Sequence, residues 1–199
     1  MRIITPLPNN PVIALSGGVD SVVLASFIGN HYTVRAAFFN HGTPQDNNAE
    51  KFVIDFCERR SIELFLGRIS TEIVSNREKQ WRDERYAFFD SLEGKVLTGH
   101  HLDDCVETYL WSSLHGSPKV IPYVRGNVVR PLLRSKKQDI LDWAMRNKIE
   151  WFEDDSNESL DHTRNYIRHE LVPRALVVNP GLHKVVDRFV KKQLNPKGE

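Results

Sequence analysis

Val12-Ile13-Ala14-Leu15-Ser16-Gly17-Gly18-Val19-Asp20-Ser21 decides the fold of this chain. Four apolar residues run into two adjacent glycines, and Val22-Val23-Leu24-Ala25-Ser26-Phe27-Ile28 continues with apolar positions at helical spacing. The pattern is strand, glycine turn, helix. Paired glycines let the backbone adopt conformations closed to other residues and let a ligand approach the main chain, while Ser and Asp supply capping and first-turn groups. The unpaired N–H groups and positive dipole end of such a helix start make an anion site, and phosphate suits it. No Gly-Lys-Ser/Thr follows, so this is not the common mononucleotide loop, and the third glycine of the dinucleotide fingerprint is missing.

Outward from this stretch the chain alternates. Residues 33–39 read as a second strand ending at Asn40-His41-Gly42, and 46–60 as an amphipathic helix with Phe52, Val53, Phe56 and Cys57 on one face. Residues 62–69 give a third strand. A helix over 78–92 carries Trp81, Tyr86, Phe88 and Phe89, with Arg82 and Arg85 three apart. Residues 95–99 form a fourth strand, 103–114 a helix, 127–133 a fifth strand closed by Pro131, and 136–147 a further helix. This alternation predicts an α/β, doubly wound (Rossmann-like) parallel five-stranded sheet with right-handed crossovers and ligands at the carboxyl ends of the strands. A boundary near 151 separates a unit over 1–150 from 151–199, where 163–177 and 181–192 read as two helices of a small C-terminal helical appendage.

Composition narrows the function. With 199 residues, 40% hydrophobic and 27% charged, the chain can build a sizeable core. No apolar run approaches the roughly 20 residues that span a bilayer, and no basic segment precedes an apolar one at the start, so the chain reads as unexported and cytoplasmic, with no membrane partner. Cys57 and Cys105 lie far apart inside helical patterns, which points to free thiols rather than a metal motif. Residues 1–118 hold 11 Lys and Arg against 15 Asp and Glu; residues 119–199 hold 16 against 11. The basic half is where a polyanion would be held.

A second chemical block is His100-His101-Leu102-Asp103-Asp104-Cys105-Val106-Glu107-Thr108. It follows the fourth strand, so it opens at the same sheet edge as the glycine turn. Asp104 and Glu107 share a helix face, with His100 near its entry. Two acids and an imidazole beside a phosphate site can bind magnesium, bind a substrate ammonium group, or accept a proton from an attacking amine. Further on, Arg164, Asn165 and Arg168 share a helix face near His162 and His169. Guanidiniums at i and i+4 can bridge phosphates of RNA or ATP, or pair with Glu170 and Asp161. Trp143 and Trp151 read as core.

Ser-Gly-Gly-Val-Asp-Ser resembles the PP-loop of the ATP pyrophosphatase superfamily, whose fold is adenine nucleotide alpha hydrolase-like. Within it, Gly99 to Thr108 resembles the His-x-x-Asp-Asp-x-x-Glu-Thr block of the tRNA(Ile)-lysidine synthetase family. Three further stretches agree in order. Arg82-Asp83-Glu84-Arg85-Tyr86 matches an Arg-x-x-Arg-Tyr element and Arg130-Pro131-Leu132-Leu133 an Arg-Pro-Leu-Leu element. Glu153-Asp154-Asp155-Ser156-Asn157 with Arg164-Asn165-Tyr166-Ile167-Arg168 matches the third. The likeness runs over roughly residues 11–175.

The resemblance implies a ligase that uses ATP and magnesium (Mg2+) to adenylate C2 of the wobble cytidine of a CAU-anticodon isoleucine tRNA and joins L-lysine to it. It implies that Ser16, Gly17, Gly18, Val19, Asp20 and Ser21, with His41, hold the nucleotide, and that Asp20 helps to place magnesium. Asp20, Arg82, Arg85, Asp104 and Glu107 would be catalytic, with His100, Asp104 and Glu107 at the lysine. Arg130, Arg164, Asn165 and Arg168 would contact phosphate or tRNA. It also implies a homodimer. His115-Gly116-Ser117-Pro118 replaces the glycine-rich turn of the family, and the resemblance is expected to cover the catalytic domain of full-length members and not their further tRNA-gripping domains. Two other readings stand beside it: another PP-loop adenylating enzyme such as a tRNA thiolase, and a nucleotide- or RNA-binding module without turnover.

Overall fold

The computed structural model describes residues 1–69, 77–153 and 163–195. Its centre is β1 (Val12–Ala14), flanked by β2 (Arg35–Asn40) and β4 (Val96–Leu97). Beyond β2 lies β3 (Glu63–Arg68), and beyond β4 lie β6 (Val128–Val129) and β5 (Val124–Arg125), giving the order β3-β2-β1-β4-β6-β5. All neighbours are parallel except β5 and β6. The sheet therefore has six strands, not five. The extra strand is a two-residue hairpin arm closed at Gly126, φ +57°, too short to leave a periodic signal.

Chain direction from β1 runs one way into β2 and β3 and the other way into β4 and β6. The topological switch thus falls between β1 and β4, where open α/β sheets bind ligands. Strand β1 is buried on both faces, and Val12 and Ile13 are fully inaccessible. Helix α1 (Val19–Gly29) is buried at every residue except Asp20, Phe27 and Gly29, because α5 (Lys137–Arg146) packs on it from outside. Ile140 and Ala144 of α5 join Ile13, Val22, Val23 and Leu97 in the main core, against which Trp143 and Trp151 also pack.

Helix α2 (Pro44–Arg59) starts at Thr43, whose hydroxyl accepts from the Asp46 N–H at 3.0 Å, while Pro44 supplies a preset first turn. Helices α3 (Arg77–Ser91) and α4 (Leu102–Leu114) complete the alternation. The second predicted C-terminal helix is α8 (Leu182–Leu194), and it packs on α4 through Leu182, Val186 and Val190 against Leu102, Cys105 and Val106. The first is interrupted. It comprises α6 (Thr163–Tyr166), a wide π-helical turn (Ile167–Leu171) and α7 (Val172–Val178). Pro173 has no N–H to donate back into the preceding turn, which accounts for the loss of regular α pairing there.

Candidate active site

The phosphate-loop candidate leaves β1 and enters α1 within four residues. Gly17 takes φ +89°, a conformation that side-chain-bearing residues rarely adopt. The helix cap is Gly18 rather than a serine or aspartate, and no side chain caps the helix start. Ser21 works inside the loop instead: its hydroxyl donates to the Gly18 carbonyl at 2.9 Å and accepts from the Ser16 N–H at 3.1 Å. The Phe152 N–H holds the Gly17 carbonyl at 2.9 Å from outside. Ser16 is exposed, Val19 is buried, and Asp20 points to the cavity side. With its side chains turned to closing the loop, the backbone at the helix start remains open to an anion.

Gly99 joins this loop to the block after β4. A Cβ there would sit 3.0 Å from the carbonyl carbon and Cβ of Asp20 and 3.1 Å from the Ser21 nitrogen. Any side chain at 99 would have to push the first turn of α1 back by a few tenths of an ångström. His101 then begins α4, 4% exposed, with its N–H donating to Asp104 Oδ2 at 2.9 Å. Its Nε2 lies 3.5 Å from Asp104 Oδ2 and 3.7 Å from Asp20 Oδ1, so one imidazole touches both motifs.

Asp104 and Glu107 are buried, and two arginines meet them. Arg164 reaches Asp104 Oδ1 at 2.7 Å through its terminal nitrogen and Glu107 Oε2 at 2.9 Å through Nε. Arg168 donates through Nε to Glu107 Oε1 at 2.6 Å, with a longer contact of 3.4 Å to Asp104. Of the partners expected for these arginines, Glu170 pairs with Arg174 instead, and Asp161 lies outside the described residues, as do His162 and Asp154-Asp155-Ser156-Asn157. Burial works to raise the Asp104 carboxyl, but His101, His100 and Arg164 together with the His101 N–H bring it down to about 2. Burial drives His100 down to about 4, with Arg130, Arg164 and Arg85 acting in the same direction against Asp104. His100 is thus neutral at pH 7, its Nδ1 2.9 Å from the Thr98 hydroxyl.

A cavity of about 430 Å3 opens at this edge, lined by Ser16, Asp20, Ser21, His41, Arg85, His100, Asp104, Arg164, Asn165 and Arg168. Glu107 lies behind the arginines. His41 is set by the start of α2: its N–H donates to Asp46 Oδ2 at 3.2 Å, and its ring packs on Trp81 with centroids 5.2 Å apart. Burial alone would raise Asp46, but hydrogen bonds from His41 and Thr43 hold it below the usual carboxylate range.

Two arginines fall elsewhere. Arg82 is exposed, 3.7 Å from its neighbour Asp83. Arg130 is 2% exposed, and its two terminal nitrogens donate to the Pro122 carbonyl and the Tyr86 hydroxyl at 2.8 Å each, which ties the β5–β6 segment to α3. One cation at the site was not singled out from sequence. Lys137, the first residue of α5, holds both oxygens of Asp20 at 2.8 Å. Its position just beyond a strand, at the same edge as the loop, was a usable signal.

The PP-loop domain model matches residues 5–175. Among relatives, the chain is 28% identical to the tRNA(Ile)-lysidine synthase of Exiguobacterium sibiricum over 96% of its own length and 54% of that protein. It is 30% identical to that of Thermosipho africanus (90% and 47%) and 31% identical to that of Francisella philomiragia (96% and 52%). The chain spans about half the length of these relatives. Among solved structures, NH3-dependent NAD synthetase from Campylobacter jejuni superposes with a TM-score of 0.54 at 14% identity, covering 98% of this chain and 89% of that one. NMN synthetase from Francisella tularensis gives 0.52 at 18% identity, covering 72% and 63%. The fold is shared with both. With its loop at the switch point and the domain match across most of its length, the chain belongs to the PP-loop family.

Proposed function

We propose that the chain is the catalytic unit of an ATP-dependent tRNA-modifying ligase that makes lysidine at the wobble cytidine of a CAU-anticodon isoleucine tRNA. One observation carries the reading: an anion loop after β1 and the buried Asp104 after the adjacent β4 face one cavity, with Glu107 behind Asp104 and the arginines. The names of the relatives at about 30% identity support the substrate.

In this reading the C2 carbonyl oxygen of cytidine attacks the α-phosphorus of ATP. The new O–P bond forms as the bond to the β-phosphate bridging oxygen breaks and pyrophosphate leaves. The lysine amine then attacks C2, the C2–O bond breaks, AMP departs and the amine gives up a proton. Residues 16–21 hold the departing pyrophosphate at the start of α1, and Arg85, on the cavity wall, faces charge that develops at the α-phosphate. Asp104 stays ionised and suits an ammonium ligand. Arg164 and Arg168 hold the Asp104 and Glu107 carboxylates, and in this reading the amine takes over part of those contacts.

Among the described residues no group of three or more His, Cys, Asp or Glu is arranged as a metal cage. Magnesium suits the site as an ion carried by phosphate oxygens and one carboxylate, Asp20, since it keeps several waters and asks for few protein ligands. No helix of the described residues is long and apolar enough to cross a membrane.

Labelled lysine, ATP and magnesium are supplied to the purified protein with unmodified isoleucine tRNA, and a CAU methionine tRNA serves as control. Incorporation confined to the isoleucine tRNA is expected. Pyrophosphate release without incorporation would move the chain to another PP-loop chemistry, and nucleotide binding with neither would make it a binding module.

A further inference from the structure

Lys137 ends a line of side-chain contacts that runs from the acid pair through His101 to Asp20. Its ammonium lies 2.8 Å from each Asp20 oxygen across 117 positions of sequence. Its main chain is anchored from α4: the Lys137 N–H donates to Asp103 Oδ2 at 2.7 Å, and the Leu102 N–H donates to the Ser135 carbonyl at 2.8 Å. The other oxygen of Asp103 meets His183 Nε2 at 2.9 Å, so the anchor is itself held by α8. The ammonium thus has a fixed root. It stands behind Asp20, which lines the cavity.

We propose that Lys137 is a positioning residue of the phosphate loop, holding the Asp20 carboxylate and cancelling its charge so that a polyanion can settle on the start of α1. The inference rests on the reading that residues 16–21 take the pyrophosphate part of ATP. Asp20 sits in the first turn of α1, where the helix attracts anions and where a bare carboxylate would repel them. In a partly enclosed cavity that repulsion is weakly screened. Among the described residues, the other cation-forming group beside Asp20 is His101, at 3.7 Å. An arginine at 137 would keep the charge but change the point geometry of the ammonium.

The test is calorimetric titration of inorganic pyrophosphate into the full chain in the presence of a chelator, so that no divalent cation stands in for the ammonium. Wild type, Lys137→Met, Lys137→Arg and the double variant Lys137→Met/Asp20→Asn are compared, with thermal unfolding to verify each fold. Lys137→Met is expected to weaken binding about tenfold or more, and Lys137→Arg to recover part of the loss. The double variant is expected to recover most of it, because the repelling carboxylate charge has gone too. A merely structural lysine would leave the double variant at least as weak as the single one, and that result overturns the inference. Equal affinity of wild type and Lys137→Met overturns it as well, while leaving the loop reading intact. Wild-type binding that appears only when magnesium replaces the chelator overturns the inference, since the metal and not the ammonium then cancels the charge; failure of the wild type to bind pyrophosphate with or without magnesium overturns the loop reading itself. Should Lys137→Met not fold, Lys137→Gln takes its place in the same comparison.

Discussion

Arg164 meets Asp104 at 2.7 Å although 60 residues separate them, and the contact fixes the C-terminal helices over the cavity. Asp104 and Glu107 are each less than one tenth exposed, and the two arginines that neutralise them are partly solvated. Removing one partner of a buried pair costs about 3–5 kcal/mol, and solvent around these guanidiniums lowers that figure. Arg164→Ala and Arg168→Ala should each reduce unfolding free energy by about 1–3 kcal/mol. Because each arginine covers part of the same two acids, the double variant should lose more than the two single losses added. Urea unfolding measures all three; wild-type stability in the double variant would show that the acids are not dependent on these partners.

Gly99→Ala tests the closeness of the two motifs. The added methyl would press on the backbone of Asp20 and Ser21 at 3.0–3.1 Å, and neither can swing away like a side-chain end. Overpacking of this kind costs about 1–3 kcal/mol. The loop should shift with it, so ATP affinity should fall along with thermal stability. Unchanged ATP affinity in a folded Gly99→Ala protein would mean that the loop tolerates displacement.

The parts legible from sequence were those with a local signature. The glycine turn announced β1 and α1, and Asp104 and Glu107 announced one helix face by their spacing. What stayed hidden depends on contacts between distant segments. Nothing near Arg130 tells that its guanidinium turns inward to Pro122 and Tyr86 rather than outward to phosphate. Spacing gave Arg164 and Arg168 a common face, but their partners lie on α4, which only the sheet order brings opposite them. Of two adjacent histidines, His101 is the bridge between Asp20 and Asp104 while His100 turns to Thr98, a difference of partners that the sequence does not display. The wide turn at Ile167–Leu171 broke a helix that hydrophobic period drew as continuous.

Acid should loosen the site in two windows. His100 is lowered from its ordinary value of 6.5 to about 4, chiefly by burial, so the unfolded chain binds more protons than the folded one between those values. Stability from this residue is therefore complete above pH 6.5 and is lost as pH falls toward 4, a loss on the order of 2–3 kcal/mol. Asp104, lowered from 3.8 to about 2, adds a second loss as pH falls through that lower range. Urea midpoints recorded from pH 7.5 to 4.5 should drop in the wild type and flatten in His100→Gln, whose amide can still bond Thr98. An equal pH slope in both proteins would remove His100 as the cause.

The two cysteines decide between nitrogen and sulfur chemistry. Burial pushes the Cys57 thiol up to about 11, and burial, aided by the nearby Asp104 charge, pushes Cys105 up to about 12. Both are free, inaccessible and protonated at pH 7, whereas a sulfur carrier needs an exposed thiolate. A thiol reagent should therefore label neither cysteine in the folded protein and both after denaturation. Cys57→Ala and Cys105→Ala should each cost about 1 kcal/mol of stability through the small void left behind and leave lysine incorporation near the wild-type rate. Incorporation that survives both substitutions together, in a protein whose fold is verified by circular dichroism, is what amine ligation requires. Its abolition by either one alone would mean that a thiol enters the chemistry and that the chain transfers sulfur.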